Sequence, residues 1–238
     1  MKHLLTVILS LALLACSSDD PQILTDDDPL KGLPDKGPIR FDNPEVGQRS
    51  FYVFFKATKN NTQEVTFEYM PDTLVLAITG KEGDKWILNE FLANGSESKT
   101  SANGNWSSLA DVVITRHLEV EADSAFFSRP AGADPFSFVF VGESRTVPLL
   151  PVEDPAPINV NCMPKLAYAS TLWMQYTVNY SQFGQTFQHL NNYFDYRPMA
   201  TDGSGFMYAY GSQHGLVRWT WVSYWSLDYA NGWDLIPN

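Results

Sequence analysis

The sequence is poor in cysteine, histidine and positive charge, and each shortage excludes a class of protein. Two cysteines cannot form a network of internal disulfides. The four histidines, His3, His117, His189 and His214, are scattered, and none has the spacing of a zinc site. Lys and Arg number 16 against 27 Asp and Glu, and the net charge of −11 repels phosphate backbones. The sequence therefore predicts no metal ion, no other cofactor and no nucleic-acid partner.

Long apolar runs are also absent, apart from a short one at the start of the chain. Met1-Lys2-His3 is followed by an uncharged stretch from Leu4 to Ala15. About a dozen residues are too few to cross a bilayer as a helix, but they have the proportions of a secretory signal. The sequence thus predicts an exported chain from which residues 1–15 are removed.

The apolar run ends in Leu13-Leu14-Ala15-Cys16, which resembles the lipobox of bacterial lipoproteins. The resemblance implies cleavage before Cys16 and acylation of its thiol and new amine, for example with palmitate. Several acyl chains on one residue would anchor the protein firmly in a membrane. The alternative is a simple secretory signal that happens to contain a cysteine. The remaining Cys162 has no basic neighbour in sequence, and we interpret it as a buried, inert thiol.

Acidic residues follow the cysteine directly, in Ser17-Ser18-Asp19-Asp20 and Thr25-Asp26-Asp27-Asp28. Such a run resembles the export signal of surface lipoproteins in the Bacteroidota, which implies an outer-membrane location and favours display on the cell surface. A flexible acidic spacer without a sorting role is the alternative. Residues 16–45 are accordingly predicted to be a disordered tether, and residues 46–238 a single domain.

Two short motifs depend on the same resemblance. Asp72-Thr73-Leu74 and Asp123-Ser124-Ala125 resemble the acceptor sequence of the O-glycosylation system of that group, which modifies exported proteins. The resemblance implies Thr73 and Ser124 as acceptors. Three-residue patterns also arise by chance, and Thr73 alternatively begins a strand.

Alternation of apolar and polar residues with a period of two dominates the rest of the chain. It is clearest in five segments: Phe51–Phe55, Val65–Tyr69, Leu74–Ile78, Leu172–Tyr180 and Phe206–Tyr210. Met70-Pro71-Asp72 is interpreted as a turn, and Phe136–Phe140 as a strand buried on both sides. The proline-rich stretch 147–158 is interpreted as a crossover within one domain, with an interdomain linker as the alternative. The sequence predicts an all-β fold, either an antiparallel β-sandwich or a partly closed β-barrel.

Three tryptophans near the end of the chain are the most distinctive candidates for a binding site. Strand alternation places Trp219, Trp221 and Trp225 on one face. A row of exposed indoles would stack on sugar rings, whose C–H faces are apolar, so a surface glycan-binding module is the first alternative function. The preferred interpretation is that these rings form the core of a domain that lacks disulfides.

No combination of nucleophile, acid and base is recognisable in the sequence. Gly211-Ser212-Gln213-His214-Gly215 lacks the spacing of a nucleophile elbow and is interpreted as a hairpin loop. Four carboxylates lie in aromatic-rich segments: Glu90, Asp195, Asp228 and Asp234. Two of them facing each other across a cleft would suit a hydrolase, the second alternative. The sequence favours a non-enzymatic envelope lipoprotein whose domain binds a glycan or an envelope protein, or has a structural role.

Overall fold

A computed structural model describes residues 29–59, 65–93, 112–133, 136–140, 143–149, 158–159, 173–196, 204–223 and 229–237. Within these ranges the chain forms twelve β-strands and no helix. The strands are β1 (Arg49–Lys59), β2 (Val65–Glu82), β3 (Lys85–Leu92), β4 (Ile114–Val120), β5 (Ser124–Ser128), β6 (Ser144–Pro148), β7 (Ile158–Asn159), β8 (Trp173–Gln182), β9 (Gln185–Tyr196), β10 (Ser204–Gly211), β11 (Gly215–Ser223) and β12 (Tyr229–Leu235). The predicted all-β class is confirmed.

All twelve strands belong to one sheet, which curls into a half-barrel. The order across the sheet is β6-β5-β4-β3-β2-β1-β12-β11-β10-β9-β8-β7. Neighbouring strands are antiparallel except β7 and β8, which run parallel. Strands β1 to β6 therefore form one meander and β8 to β12 another, and the pairing of β1 with β12 joins them. A single curled sheet corresponds to the second predicted architecture, the partly closed barrel.

The connection from β6 to β7 joins strands at opposite ends of the strand order. β6 ends at Pro148 and β7 begins at Ile158, while residues 150–157 lie outside the described ranges. Because both flanking strands belong to the same sheet, the proline-rich stretch 147–158 connects two parts of one sheet.

The turn predicted at Met70-Pro71-Asp72 is wrong, since β2 continues through these residues. Val53 of β1 pairs with Thr73, whereas Phe55 pairs with Tyr69, so β2 carries extra residues at this point. Such a bulge tolerates proline because the local ladder of hydrogen bonds is already interrupted. These turn-forming residues therefore distort a long strand instead of ending it.

The strand predicted at Phe136–Phe140 is also wrong, since this segment is a bent loop. Its phenylalanines nevertheless lie in the core, where Phe138 is buried and Phe140 stacks on Phe127 with ring centroids 3.9 Å apart. The backbone N–H of Phe138 donates to the carboxylate of Glu90 at 2.7 Å instead of to a neighbouring strand. A buried loop is stable here because a side chain replaces the ladder partner that its backbone needs.

Residues 29–48 form a strap across one end of the sheet. Ile39 and Phe41 are buried in the main core, and the backbone N–H of Phe41 donates to the carbonyl oxygen of Ser212 at 2.8 Å. The strap runs so close to Gly215 that a Cβ there would lie 2.7 Å from the carbonyl oxygen of Ile39. The predicted start of the domain at residue 46 is therefore too late. Ile39 and Phe41 lie before residue 46 and are buried, so this segment belongs to the domain and not to the tether.

The two faces of the sheet differ in chemistry where β11 pairs with β12. Trp219 lies opposite Trp233, and the adjacent pair is Arg218 with Asp234. Because successive residues of a strand point to opposite faces, the two pairs lie on different sides of the sheet. The side of the two tryptophans is here called the inner face and contains the main core. The side of Arg218 and Asp234 is the outer face.

Residues 179–190, at the tip of the β8–β9 hairpin, form an arm that folds over the outer face. Gln182 Nε2 in the arm donates to the carbonyl oxygen of Leu235 in β12 at 3.1 Å. Strands β9, β10 and β11 separate β8 from β12 in the sheet, so the hairpin must bend out of the sheet to reach it. The bend coincides with a left-handed residue, His189 with φ of 54°, whose N–H donates to Asn179 Oδ1 at 2.9 Å.

Gly232 of β12 lies beneath the ring of Phe55 on the outer face. A Cβ at Gly232 would lie 2.9 Å from Phe55 Cζ and closer still to the carbonyl oxygen of Trp219. We expect Gly232→Ala to lower the free energy of unfolding by about 1–3 kcal/mol, because the added methyl group overfills this contact. Urea denaturation followed by circular dichroism measures the loss.

Gly80→Ala is the matched control for this prediction. Gly80 also lies within a strand, but the nearest atom to its added Cβ is the end of the Ile87 side chain, at 3.1 Å. A flexible side chain can move aside, so the control should lose less stability than Gly232→Ala. Equal losses in the two variants would contradict the tight fit of Gly232 between the backbone of Trp219 and the ring of Phe55.

Candidate functional site

The outer face carries a buried ion pair beneath the arm. Arg218 and Asp234 are both almost fully buried, and the guanidinium donates through Nε and Nη2 to the two oxygens of the carboxylate. Such a bidentate pair is the strong form of this interaction. Tyr69 donates its hydroxyl to Asp234 Oδ2 at 2.9 Å, and Gln182 Oε1 accepts from Arg218 Nη2 at 3.3 Å. The ion pair is therefore connected to β2 on one side and to the arm on the other.

Aromatic rings surround the guanidinium of Arg218. Its Cζ atom lies 5.0 Å from the ring centroids of Phe55 and Phe67, and 4.9 Å from that of Tyr180 in the arm. Cation–π attraction is strongest where the cation has lost its water. The ion pair is buried and enclosed by these side chains, so the cluster fixes the arm on the sheet. We call the cluster the arginine lock, and its members are Arg218, Asp234, Phe55, Phe67, Tyr69, Tyr180 and Gln182.

A second buried carboxylate, Glu90 of β3, organises the loop 136–140. Ser137 Oγ lies 2.8 and 2.9 Å from its two oxygens, and the N–H of Phe138 donates to Oε2. Arg116 of β4 places its Nε atom 3.8 Å from Oε1. Complete burial raises the pKa of Glu90 to about 7, and the hydrogen bonds and Arg116 only partly oppose this effect. The carboxyl group therefore changes its charge near neutral pH inside the core.

Glu90 and Asp234 do not form the pair of carboxylates that a hydrolase needs. Glu90 lies on β3 among residues of the main core, whereas Asp234 lies on the outer face and is bound to Arg218. Both are fully buried. The side chain of Asp195 and all of Asp228 lie outside the described residues. Two carboxyl groups must face a shared, accessible space to cleave a glycosidic bond, and Glu90 and Asp234 do not.

The structure bears on the alternative of a row of exposed indoles at Trp219, Trp221 and Trp225. Trp219 is 7 % exposed and belongs to the main core, where it lies opposite Trp233. Trp221 is partly buried and packs against the same core, and Trp225 lies outside the described residues. A stacking platform needs open ring faces, so Trp219 does not contribute to one. Its interpretation as a core residue is confirmed, because strand alternation puts it on the face that the strap and loop 136–140 cover.

The residues assigned to covalent modification lie in different settings. Cys16 lies outside the described residues, as does Cys162. Thr73 is partly buried within β2. Ser124 begins β5 next to an exposed turn, and its Oγ donates to Asp123 Oδ1 at 3.2 Å. Acylation of Cys16 and glycosylation of Thr73 and Ser124 stay predictions, and both hydroxyl residues are partly buried.

The described histidines lie in three different elements of the fold. His117 is in β4, His189 is in the arm, and His214 is in the turn between β10 and β11. Burial lowers the pKa of His214, whose ring packs edge-on against Phe187 with centroids 5.3 Å apart. Across the part of the chain that the structure describes, no three His, Cys, Asp or Glu side chains come together as a metal site would require. The loop 211–215 is a hairpin turn, as predicted.

A shallow recess lies where β4, β5 and β6 meet the loop 136–140. It encloses about 170 Å³, including space open to solvent. Its lining residues are Arg116, Phe127, Ser128, Phe140, Glu143, Ser144 and Arg145. Pockets for small-molecule ligands usually enclose about 300–1,000 Å³. This recess is too small and too open to be a substrate pocket.

Sequence reasoning did not single out Arg218 or Tyr180. One signal was present, because Arg218 lies in a strand between Val217 and Trp219, where a charge must find a partner if the strand is buried on both sides. Nothing local to the sequence identifies Asp234 as that partner. Tyr180 also reaches Arg218 only because the arm leaves the plane of the sheet.

Comparison with known proteins does not add a functional assignment. No protein-family model matches the chain, and no curated protein or solved structure is significantly similar to it. Among the described residues, no helix is long and apolar enough to cross a membrane. Functional inference for this chain therefore depends on its own residues.

Proposed function

We propose that the chain is a non-enzymatic lipoprotein of the bacterial envelope. Acyl chains on Cys16 would anchor it in the outer membrane, where its β-domain has a binding or structural role. The observation that carries this proposal is Leu13-Leu14-Ala15-Cys16 behind a basic start and an uncharged apolar stretch. These three features coincide at the spacing of a lipoprotein signal, and several acyl chains on one cysteine provide firm attachment.

The position of the strap is compatible with such an anchor. Residues 17–28 separate Cys16 from the described chain, and a segment of that length spans at most about 45 Å when fully extended. The strap itself is fixed to the sheet by the burial of Ile39 and Phe41. The domain would therefore stay near the membrane, with the end of the sheet that carries the strap closest to the anchor.

The buried carboxylates favour a binding or structural role over hydrolysis. Glu90 anchors the loop 136–140, and Asp234 belongs to the arginine lock, so both serve the fold. A hydrolase would require carboxyl groups open to substrate. The glycan-binding alternative receives no support from Trp219, whose ring is buried.

Replacing Cys16 by serine tests the anchor, because serine cannot accept the thioether-linked lipid. In a bacterium that processes lipoproteins, we expect the wild-type chain to incorporate labelled palmitate and to fractionate with membranes. We expect the Cys16→Ser variant to do neither. Cys162→Ser is the matched control, since it removes the only other thiol and leaves the signal intact. Palmitate labelling of Cys16→Ser, or its loss from Cys162→Ser alone, would refute the proposal.

A further inference from the structure

Two exposed aromatic rings meet at the tip of the arm. Phe183 is 48 % exposed and Tyr69 is 41 % exposed, with their ring centroids 4.9 Å apart. In the described part of the chain the exposed large apolar side chains are Tyr69, Val113, Phe183 and Ile236. Gln182, beside Phe183, binds the carbonyl oxygen of Leu235, beside Ile236. Three of these four side chains are therefore at the arm tip or next to its contact with β12.

The backbone conformation of Phe183 is unfavourable for its residue type. Phe183 and Gly184 form a two-residue turn between the paired residues Gln182 and Gln185, with φ of 49° and 78°. Turns with two positive φ values prefer Asn-Gly, and a bulky residue in the first position is strained. Phe183 thus combines an unfavourable backbone conformation with a half-exposed apolar ring. Strain of this kind is typical of functional positions.

Tyr69 presents a ring that is held in place before any ligand arrives. Its hydroxyl is bound to Asp234, and Arg218 holds that carboxylate from the other side. Phe67, two residues earlier on the same face, has its ring nearly parallel to that of Tyr69, with 16° between the ring planes and 6.3 Å between the centroids. Rings that are already ordered lose little entropy on binding, which favours a ligand that stacks on them.

We propose that Tyr69 and Phe183 form a stacking site for a neutral carbohydrate. A sugar ring offers an apolar C–H face to an aromatic ring, and its hydroxyls need donors and acceptors nearby. The arm also carries the exposed hydroxyls of Ser181 and Thr186, which lie 3.0 Å apart and two residues from the turn at Phe183 and Gly184. The net charge of −11 disfavours acidic polymers, and two rings are far smaller than the surface that a stable protein interface requires. This site does not depend on the lipid anchor, and it is separate from the tryptophans of β11.

Affinity electrophoresis of the full-length chain tests the site, with laminarin, xyloglucan, mannan or dextran in the native gel. We expect at least one of these neutral polysaccharides to retard the wild-type protein. Tyr69→Ala and Phe183→Ala should each raise the dissociation constant about tenfold or more, as is typical of a central aromatic contact. Val113→Ala is the matched control, because Val113 is as exposed as Tyr69 but lies beside β4.

Phe183→Asn separates binding from folding. Asparagine tolerates positive φ, so this variant should keep or raise the melting temperature while it loses retardation by the polysaccharide. A lower melting temperature with unchanged retardation would make Phe183 a structural residue and overturn the proposal. A wild-type protein that none of the four polysaccharides retards would also overturn it. So would substitutions of Tyr69 and Phe183 that abolish only the association of the chain with itself. Labelling by palmitate is unaffected in each case, so failure of this site is distinguishable from failure of the anchor.

Discussion

Replacement of Asp234 by alanine is expected to lower the free energy of unfolding by about 3–5 kcal/mol. The substitution leaves the guanidinium of Arg218 buried without its carboxylate, and burying a charge without its partner is costly. Tyr69 also loses the oxygen to which its hydroxyl donates. Urea denaturation at pH 7, followed by the fluorescence of the buried Trp219 and Trp233, measures the loss.

The arginine lock also predicts where the weakened protein opens first. The arm is held to the outer face through Arg218, so we expect chymotrypsin to cleave Asp234→Ala after Phe183 faster than it cleaves the wild type. Release of the arm is a local opening, and proteolysis detects such openings below the global unfolding transition. Wild-type cleavage rates at Phe183 would show that Asp234 stabilises the sheet but does not fix the arm.

Two comparisons make this prediction specific. Glu119→Ala removes half of the ion pair that Lys85 and Glu119 form at 2.9 Å with partly exposed side chains, and it should cost less than about 1 kcal/mol. The double variant Arg218→Met with Asp234→Leu removes both charges and should recover much of the stability lost by Asp234→Ala. A loss in Asp234→Ala no larger than that in Glu119→Ala would contradict the proposed lock.

Strand positions followed from the sequence where alternate apolar side chains of a strand join the main core. Leu74, Leu76 and Ile78 alternate because those three side chains point to the inner face, and the structure confirms β2 there. The ends and bulges of strands did not follow in the same way. Pro71 and Asp72 favour turns locally, and only the pairing of Val53 with Thr73 determines that the strand continues.

The sites were harder to predict because their partners are distant in sequence and in the sheet. A period of two identifies two faces at Trp219, but it does not say that the inner face is covered by loop 136–140 and the strap. Likewise, the alternation of Phe136, Phe138 and Phe140 is compatible with a strand. It occurs in a loop because Glu90, on β3, satisfies the backbone N–H of Phe138. Local propensity does not indicate that a side chain distant in sequence will accept the hydrogen bond that a neighbouring strand would otherwise accept.

The contribution of Glu90 to stability should decrease as the pH rises toward neutrality. Burial raises the pKa of Glu90 from 4.5 to about 7, so the folded state holds this proton more tightly than the unfolded state does. The resulting stabilisation is fully present below about pH 4.5, declines above it, and is lost as the pH rises through 7. A pKa difference of this size corresponds to at most about 3 kcal/mol.

Glu90→Gln tests this contribution, because the amide cannot ionise but keeps an oxygen that accepts from the N–H of Phe138. The difference in melting temperature between Glu90→Gln and the wild type should increase in favour of the variant from pH 5 to pH 8. The carboxylates elsewhere in the chain affect both proteins equally, so they cancel in this difference. Glu119→Gln makes the same replacement at a partly exposed position and is the matched control.

Parallel profiles for Glu90→Gln and the wild type would mean that the carboxylate stays charged in the core throughout this range. The hydrogen bonds from Ser137 and Phe138, together with Arg116, would then outweigh the cost of burial. In that case Glu90→Gln should be less stable than the wild type at every pH. The variant replaces the carboxylate that accepts from Ser137 and Phe138 by a neutral, weaker acceptor. The change of this difference between pH 5 and pH 8 therefore decides whether the carboxyl group that holds this loop takes up a proton in this range or stays an ion throughout.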